Sequence, residues 1–121
     1  MSELKRSVRV AGRLREELAA ALREYRDPRL EGAIVSRVEM TDDLQLARVY
    51  VRREGGAPDH AAEKRLLAGF AAAAPRLRRG AAKSLGLRYA PDLRFFYDEA
   101  PDAQSRIEEL LEEIKRDGEG D

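Results

Sequence analysis

The sequence predicts a single α+β domain in which helices cover one face of a small β-sheet. Two kinds of periodicity support this fold class: apolar residues recur at steps of three and four in some segments, as in amphipathic helices, and alternate with polar residues in others, as in half-buried strands. The chain has 121 residues, of which 43% are hydrophobic and 38% charged. This composition suits one packed core under a highly charged surface.

The first helix is predicted from Glu3 to Tyr25, because its apolar residues fall along one side. They are Val8, Ala11, Leu14, Leu18, Ala21, Leu22 and Tyr25. Asp27-Pro28 should end this helix, since the residue before a proline avoids helical backbone and proline cannot continue the hydrogen-bond ladder. Gly32 then permits a turn into a strand.

Three strands are predicted. The first covers residues 34–40, which are rich in β-branched side chains, and the second covers residues 44–53, which alternate clearly. The turn sequence Thr41-Asp42-Asp43 lies between them. Residues 93–97 also alternate and should form the third strand.

Two helices are expected between the second and third strands. The first begins after the capping residue Asp59 and continues to Ala74. Pro75 stands inside what would otherwise be one long helix, so it must kink that helix or begin a new one. The next helix is therefore expected to run to Leu85, before the natural stop at Gly86.

The C-terminal segment differs from the rest of the chain in charge. Residues 101–121 carry eight acidic and three basic side chains, a net charge of −5, so the first hundred residues carry +5 although the formal net charge of the chain is zero. Residues 105–115 have the apolar spacing of a short acidic helix. The sequence thus divides into a folded domain, residues 1–100, and an acidic C-terminal helix and tail, residues 101–121.

The residues needed for catalysis or metal binding are missing from the sequence patterns. The absence of cysteine excludes disulfides, thiolate metal sites and cysteine nucleophiles, and His60 is the one histidine. Asp98 and Glu99 have no partners that would complete an acid–base or metal site, so a hinge or capping role is expected. We expect no catalysis, no metal and no cofactor. With no signal-like or membrane-length apolar run, we expect a cytoplasmic location.

The predicted order, αββααβ with three strands in a mixed sheet and the helices on one face, is that of a type II KH-like domain. Five short strings carry a closer resemblance. They are Arg9-Val10-Ala11, Asp27-Pro28-Arg29-Leu30, Leu46-Ala47-Arg48-Val49-Tyr50-Val51, Tyr97-Asp98-Glu99 and Arg106-Ile107-Glu108-Glu109-Leu110-Leu111. In joint order and spacing they resemble the ribosome-binding factor A family, and the resemblance covers the chain from about Val8 to Ile114.

This resemblance implies a monomeric RNA-binding protein that acts in ribosome biogenesis. Such a protein would bind the immature small (30S) ribosomal subunit and its 16S rRNA, assist late maturation and 5′-end processing of that RNA, and support growth in the cold. The apolar side of the C-terminal helix should pack on its own domain or on a ribosomal protein. The resemblance implies no small-molecule substrate. An open alternative is a KH-like module with a different RNA target or a protein-docking role. An acylphosphatase-like enzyme is disfavoured because the first helix occupies the place of its phosphate-binding loop.

The resemblance also locates a helix kink where KH domains generally carry a Gly-x-x-G loop. The family typically has Ala-x-Gly there, and the matching residues of this chain are Ala73, Ala74 and Pro75. Proline would enforce the kink sterically, but it offers no backbone donor to RNA.

The candidate RNA-binding residues follow this kink. Arg76, Arg79 and Lys83 are three and four residues apart and should share one helix face, where phosphate contact is favoured over a merely solvated surface. Arg78 and Arg88 are added to this RNA-binding set because they belong to the same basic segment.

RNA contact is less strongly indicated for the other basic residues. Arg9 and Arg29 are additional candidates, although Arg29 would serve equally well in an ion pair that ends the first helix. Arg48, Tyr50 and Arg52 should lie together on the sheet face opposite the helices. For these three we favour a role in cross-strand stabilisation without a ligand.

Overall fold

The computed structural model describes residues 5–119, without the side chains of residues 101–106, 117 and 119. Its elements in chain order are α1 (Arg6–Glu24), a 3-10 turn (Pro28–Leu30), β1 (Ala33–Met40), β2 (Leu46–Arg53), α2 (His60–Leu85), β3 (Asp92–Tyr97) and α3 (Ala100–Glu119). The α+β class and the three strands are as predicted. The predicted start of the first helix, Glu3, lies outside the described residues.

The three strands form one mixed sheet in the order β1-β2-β3. β1 and β2 are antiparallel, with Val38 opposite Val49, and a β-bulge lies between Val35 and Arg37. β2 and β3 are parallel, with Val49 beside Phe95. β2 is therefore the central strand, and its side chains lie in the middle of both sheet faces.

The hydrophobic core lies between the sheet and the two helices α1 and α2, which share one face as predicted. Its buried members are Leu14, Leu18, Leu30, Val35, Ala47, Val49, Val51, Leu66, Phe70, Ala73, Leu77 and Ala81. Phe70 of α2 stacks on Phe95 of β3 with ring centroids 4.9 Å apart. Since the core uses only one sheet face, the other face is left to solvent.

The helix α2 is continuous for 26 residues and contains Pro75 in its interior, so Pro75 does not begin a new helix. The kink expected at Ala73, Ala74 and Pro75 stays a prediction. A proline inside a helix costs about 3 kcal/mol. Burial of a single leucine contributes about 1.5–3 kcal/mol, and the turns after Pro75 bury both Leu77 and Ala81. Packing of these turns on the sheet offsets the cost of the proline.

The apolar stripe of α2 keeps its helical spacing across the proline. The buried residues on both sides of Pro75 follow one another at steps of three and four: Phe70, Ala73, Leu77 and Ala81. Both halves of the helix therefore turn the same side toward the core. Pro75 itself is exposed. The order of elements is therefore αββαβ followed by a C-terminal helix.

Both ends of α2 are fixed by the predicted signals. The carboxylate of Asp59 accepts a 2.8 Å hydrogen bond from the Ala62 N–H. At the other end Gly86 adopts a left-handed conformation with φ of 65°, and the Leu87 N–H donates to the Ala82 carbonyl at 2.9 Å. Glycine is favoured there because a side chain would be strained at positive φ.

The helix α3 is longer than the predicted 105–115 and begins where Asp98 accepts a 3.3 Å hydrogen bond from the Ala100 N–H, in line with a capping role. Its apolar side remains open to solvent. The exposed fractions are 57% for Ile107, 58% for Leu110, 60% for Leu111 and 67% for Ile114. These side chains do not pack into the core.

None of the helices in the described part of the chain has the length and apolar character that crossing a membrane would require.

Candidate nucleic-acid interface

The C-terminal half of α2 presents three cations to solvent, and we call Arg76, Arg79 and Lys83 the basic helix face. All three residues are exposed, whereas Leu77 and Ala81 between them are buried in the core. This separation follows from the helical period, which puts residues three and seven positions apart on the same side. The prediction that the three share one face is confirmed by their common exposure.

One edge of the basic helix face meets the end of α1. The Arg76 guanidinium lies 5.8 Å from the ring centroid of Tyr25, within the range of a cation–π contact. Small residues such as Ala21 and Gly80 line the groove between the two helices there, and Glu17 and Glu24 of α1 border it. A phosphate would therefore approach from the α2 side, away from these carboxylates.

Apart from the cation–π contact of Arg76 with Tyr25, the side chains of the basic helix face are not engaged by other described residues. Across residues 5–119, no hydrogen bond or ion pair is formed by the side chains of Arg76, Arg79 or Lys83. A cation that has no internal partner is free to bind an external anion, and each phosphate contact releases counterions from RNA. The basic helix face is thus accessible to an external anion.

Arg78, in contrast, is committed to the fold. Its Nε donates to the Pro91 carbonyl at 3.0 Å, and its Nη2 donates to the Ala90 carbonyl at 3.3 Å. The same Nη2 lies 3.0 Å from a carboxylate oxygen of Asp92. Arg78 therefore ties α2 to the connector that leads into β3, on a different side of the helix from the basic helix face.

Arg29 is likewise held by an internal partner. Its Nε and Nη2 donate to the two carboxylate oxygens of Asp27 at 3.1 Å and 2.8 Å, and its backbone N–H donates to Asp27 at 2.9 Å. These bonds hold the pKa of the Asp27 carboxyl below its ordinary value, mainly through the Arg29 side chain and then through its backbone N–H. The ion-pair alternative considered for Arg29 agrees with this geometry.

The remaining predicted residues lie apart from the basic helix face. Arg88 is exposed in the loop after α2, with its guanidinium 5.5 Å from the ring centroid of Tyr89. Arg9 is exposed near the start of α1, sixteen residues before Tyr25. At 1.5 Å per residue this is about 24 Å along the helix from the ring that Arg76 contacts. Arg9 cannot share a phosphate with Arg76.

The structure brings together a second set that the sequence only partly indicated. Arg48, Tyr50 and Arg52 do lie on the sheet face opposite the helices, and β3 adds Arg94 and Phe96 to them. We call this surface, with Arg37 of β1, the outer sheet face. The alternation of β3 already separated Arg94 and Phe96 from the core, but their position beside β2 depends on a parallel register that no local pattern encodes.

No group of three or more His, Asp or Glu side chains that could hold a metal ion occurs in the described part of the chain. His60 is exposed at the start of α2, with its Nδ1 3.3 Å from a carboxylate oxygen of Glu63. The surroundings of His60 contain neither a nucleophile nor a second imidazole ring.

Residues 6–111 match the family model described as ribosome-binding factor A. The ribosome-binding factor A of Sorangium cellulosum is 60% identical over 118 residues, which cover 98% of this chain and 95% of that protein. The one from Desulfatibacillum aliphaticivorans is 44% identical over 117 residues, covering 94% and 91% of the two chains.

Solved structures of similar fold carry the same description. A Thermotoga maritima protein, a ribosome-binding factor A candidate studied by NMR, has a TM-score of 0.70 and 32% identity, covering 83% of this chain and 93% of that one. A Thermus thermophilus ribosome-binding factor A model, fitted into the cryo-EM map of a 30S complex, has a TM-score of 0.61 and 26% identity. It covers 77% of this chain and 96% of that one.

Proposed function

Because this chain belongs to the ribosome-binding factor A family, we propose that it binds the immature small ribosomal subunit and assists its late maturation, including 5′-end processing of 16S rRNA. The Thermus relative fitted into a 30S complex supports the small subunit as partner. In this proposal residues 1–100 form a KH-like RNA-binding domain, which acts in the cytoplasm as a monomer and without catalysis or a cofactor.

The observation that carries the proposal is the basic helix face. Arg76, Arg79 and Lys83 are exposed and have no anionic partner among the described residues, unlike Arg29 and Arg78. We assign the phosphate contact to these three side chains, and Arg88, exposed in the loop after α2, is an additional candidate. Arg29 and Arg78 would contribute only by holding the 3-10 turn and the connector before β3.

The contact would be made by side chains and not by a glycine-rich backbone loop. Pro75, where the resemblance puts the family's kink glycine, has no N–H to donate and lies on the exposed side of a continuous helix. Binding would accordingly depend on charge and on the shape of the RNA backbone more than on base sequence.

The acidic segment, residues 101–121, would face away from the RNA. Glu108, Glu109, Glu112 and Glu113 would repel phosphates at close range. The open apolar side of α3 is suited to a ribosomal protein, since each of its four large residues is more than half exposed.

Sedimentation with small subunits tests the proposal. Wild-type protein should migrate with subunits at low salt and dissociate as salt rises, because phosphate contacts are opposed by counterion binding. The variant Arg79→Gln with Lys83→Gln should bind more weakly, while Lys64→Gln with Arg65→Gln should bind like wild type. Both pairs remove one Arg and one Lys that are exposed on α2.

Two results would contradict parts of the proposal. Failure of the folded wild-type protein to sediment with subunits at any salt concentration, together with binding to other RNA, would favour a KH-like module with a different target. Equal loss in both double variants would show that net charge matters and the basic helix face does not.

A further inference from the structure

The outer sheet face carries a row of stacked side chains that crosses all three strands. Arg37 of β1 pairs with Tyr50 of β2, and Tyr50 lies beside Phe96 of β3. The Arg37 guanidinium is 4.0 Å from the centroid of the Tyr50 ring. The rings of Tyr50 and Phe96 are stacked, with centroids 5.6 Å apart and planes inclined by 30°.

This row is open at one end. β3 is an edge strand of the sheet, so no further strand lies beyond Phe96. Phe96 is 41% exposed, and α1 and α2 pack on the opposite sheet face. The described side chains of α3 from Ile107 to Arg116 do not cover the row either, since all of them are exposed. A planar group could therefore extend the row next to Phe96.

Four arginines surround the aromatic pair. They are Arg37, Arg48, Arg52 and Arg94. The strand register places two acidic side chains on the same face: Glu39 opposite Arg48, and Asp92, which is paired with Arg78, two residues before Arg94. Glu39 lies 3.6 Å from Arg37 and receives a long hydrogen bond of 3.5 Å from the Tyr50 hydroxyl. The surface thus combines stacked rings with an excess of positive charge.

The arrangement of the charges argues against sheet stabilisation as the sole role of this face. Arg48 and Arg94 are neighbours in the register of β2 and β3, and like charges in neighbouring positions destabilise a sheet. Neither side chain has an anionic partner among the described residues. An external anion beside both arginines would relieve this repulsion.

We propose that the outer sheet face binds an unpaired RNA segment, with a base stacked on Phe96 and phosphates contacted by Arg48 and Arg94. Single-stranded RNA offers exposed planar bases and a regular phosphate backbone, whereas paired bases in a duplex cannot reach a sheet surface. The three strands span about 10 Å at roughly 4.8 Å per strand, which is room for about two or three nucleotides. An acidic protein segment would use the arginines but not the ring.

This site is independent of the basic helix face, because α2 and the outer sheet face lie on opposite sides of the sheet. The two surfaces could therefore hold different parts of one RNA. Loss of subunit binding in variants of α2 leaves the present proposal intact, and loss of single-strand binding in variants of the sheet leaves the proposed function intact.

Titration of labelled oligonucleotides tests the proposal. Oligouridylate and oligoadenylate of about ten nucleotides are compared with a stable RNA hairpin by fluorescence anisotropy. We expect Phe96→Leu to weaken single-strand binding about tenfold, because stacking on one aromatic side chain accounts for an effect of this size. Leucine keeps an apolar side chain on an exposed position, so the variant should stay folded, with a small decrease in thermal midpoint from the lost stack on Tyr50.

The matched control is Tyr89→Leu, which removes the other exposed aromatic ring, 74% exposed and outside the sheet. It should leave single-strand binding unchanged. The variant Arg48→Gln with Arg94→Gln should lower the slope of log affinity against log salt by about 1.4, as expected for two lost phosphate contacts to a single strand.

Three results would overturn the proposal. One is single-strand binding by folded Phe96→Leu within twofold of wild type. Another is an equal loss in Tyr89→Leu and Phe96→Leu. The third is binding of oligoglutamate at least as tight as that of oligouridylate and insensitive to Phe96→Leu, which would identify the face as a site for acidic protein segments.

Discussion

The two sides of α2 use arginine in opposite ways. On one side Arg78 gives its donors to the carbonyls of Ala90 and Pro91 and to the carboxylate of Asp92. On the other, Arg79 is exposed and has no such partner among the described residues. The two residues are adjacent in sequence, yet about 100° of helical rotation separates them. The groups around an arginine determine whether it stabilises the fold or is available to a ligand. The number of charged residues in the surrounding sequence does not.

The strongest test of this comparison reverses the charge of the exposed side. The variant Arg76→Glu with Arg79→Glu and Lys83→Glu should lose small-subunit affinity by about 100-fold at low salt, because three contacts become repulsive. The loss should shrink as salt rises, since charges are screened. Gradient sedimentation measures the binding. Circular dichroism should give an unchanged thermal midpoint, and unchanged binding by the folded variant would assign the RNA contact to another surface.

A substitution on the Arg78 side of α2 should change the stability of the protein. Arg78→Gln removes the ion pair and at least one of the two hydrogen bonds to carbonyl oxygens, and we expect a decrease of about 2 kcal/mol in the free energy of unfolding. Urea denaturation measures this value. Subunit affinity of the folded variant should stay within about threefold of wild type. A variant of normal stability with a large loss of affinity would place Arg78 in the RNA site.

The smallest effect is expected at Pro75, between these two sides. Pro75→Ala restores a helical N–H in a helix that is already continuous, so we expect stability to rise by about 1 kcal/mol after allowance for the greater freedom of the unfolded chain. The basic helix face should keep its orientation, because the buried stripe is in phase across the proline. Calorimetry would measure the stability of the variant, and sedimentation would measure its binding to small subunits. A tenfold loss of binding in this variant would mean that the proline itself sets the shape of the site.

The sequence was sufficient where the determining interactions are local. The alternation in β2, the cap at Asp59 and the stop at Gly86 act within a few residues, and the structure agrees with each. Pro75 does not end the helix, because the local rule for proline is outweighed by burial of Leu77 and Ala81 in a core whose other members are distant in sequence. In the same way, the partners of Arg78 lie twelve to fourteen residues away and could not be read from helix periodicity.

The outer sheet face shows the same limit. Periodicity placed Tyr50 and Phe96 on the correct sides of their strands, but their stacking requires the parallel register of β2 and β3. That register is set by the core, where Phe95 stacks on Phe70. Sequence periodicity therefore identifies the residues of the outer sheet face, but it does not show that they lie next to one another.

The parallel pairing of β2 with β3 also has a consequence for the order of folding. β1 and β2 need only the turn at residues 41–45 to meet, whereas β3 reaches β2 after the chain has passed through the 26 residues of α2. Closure over a longer segment costs more chain entropy and delays the contacts that depend on it. We therefore expect the stack of Tyr50 with Phe96 to be among the last contacts to form, after the hairpin of β1 and β2.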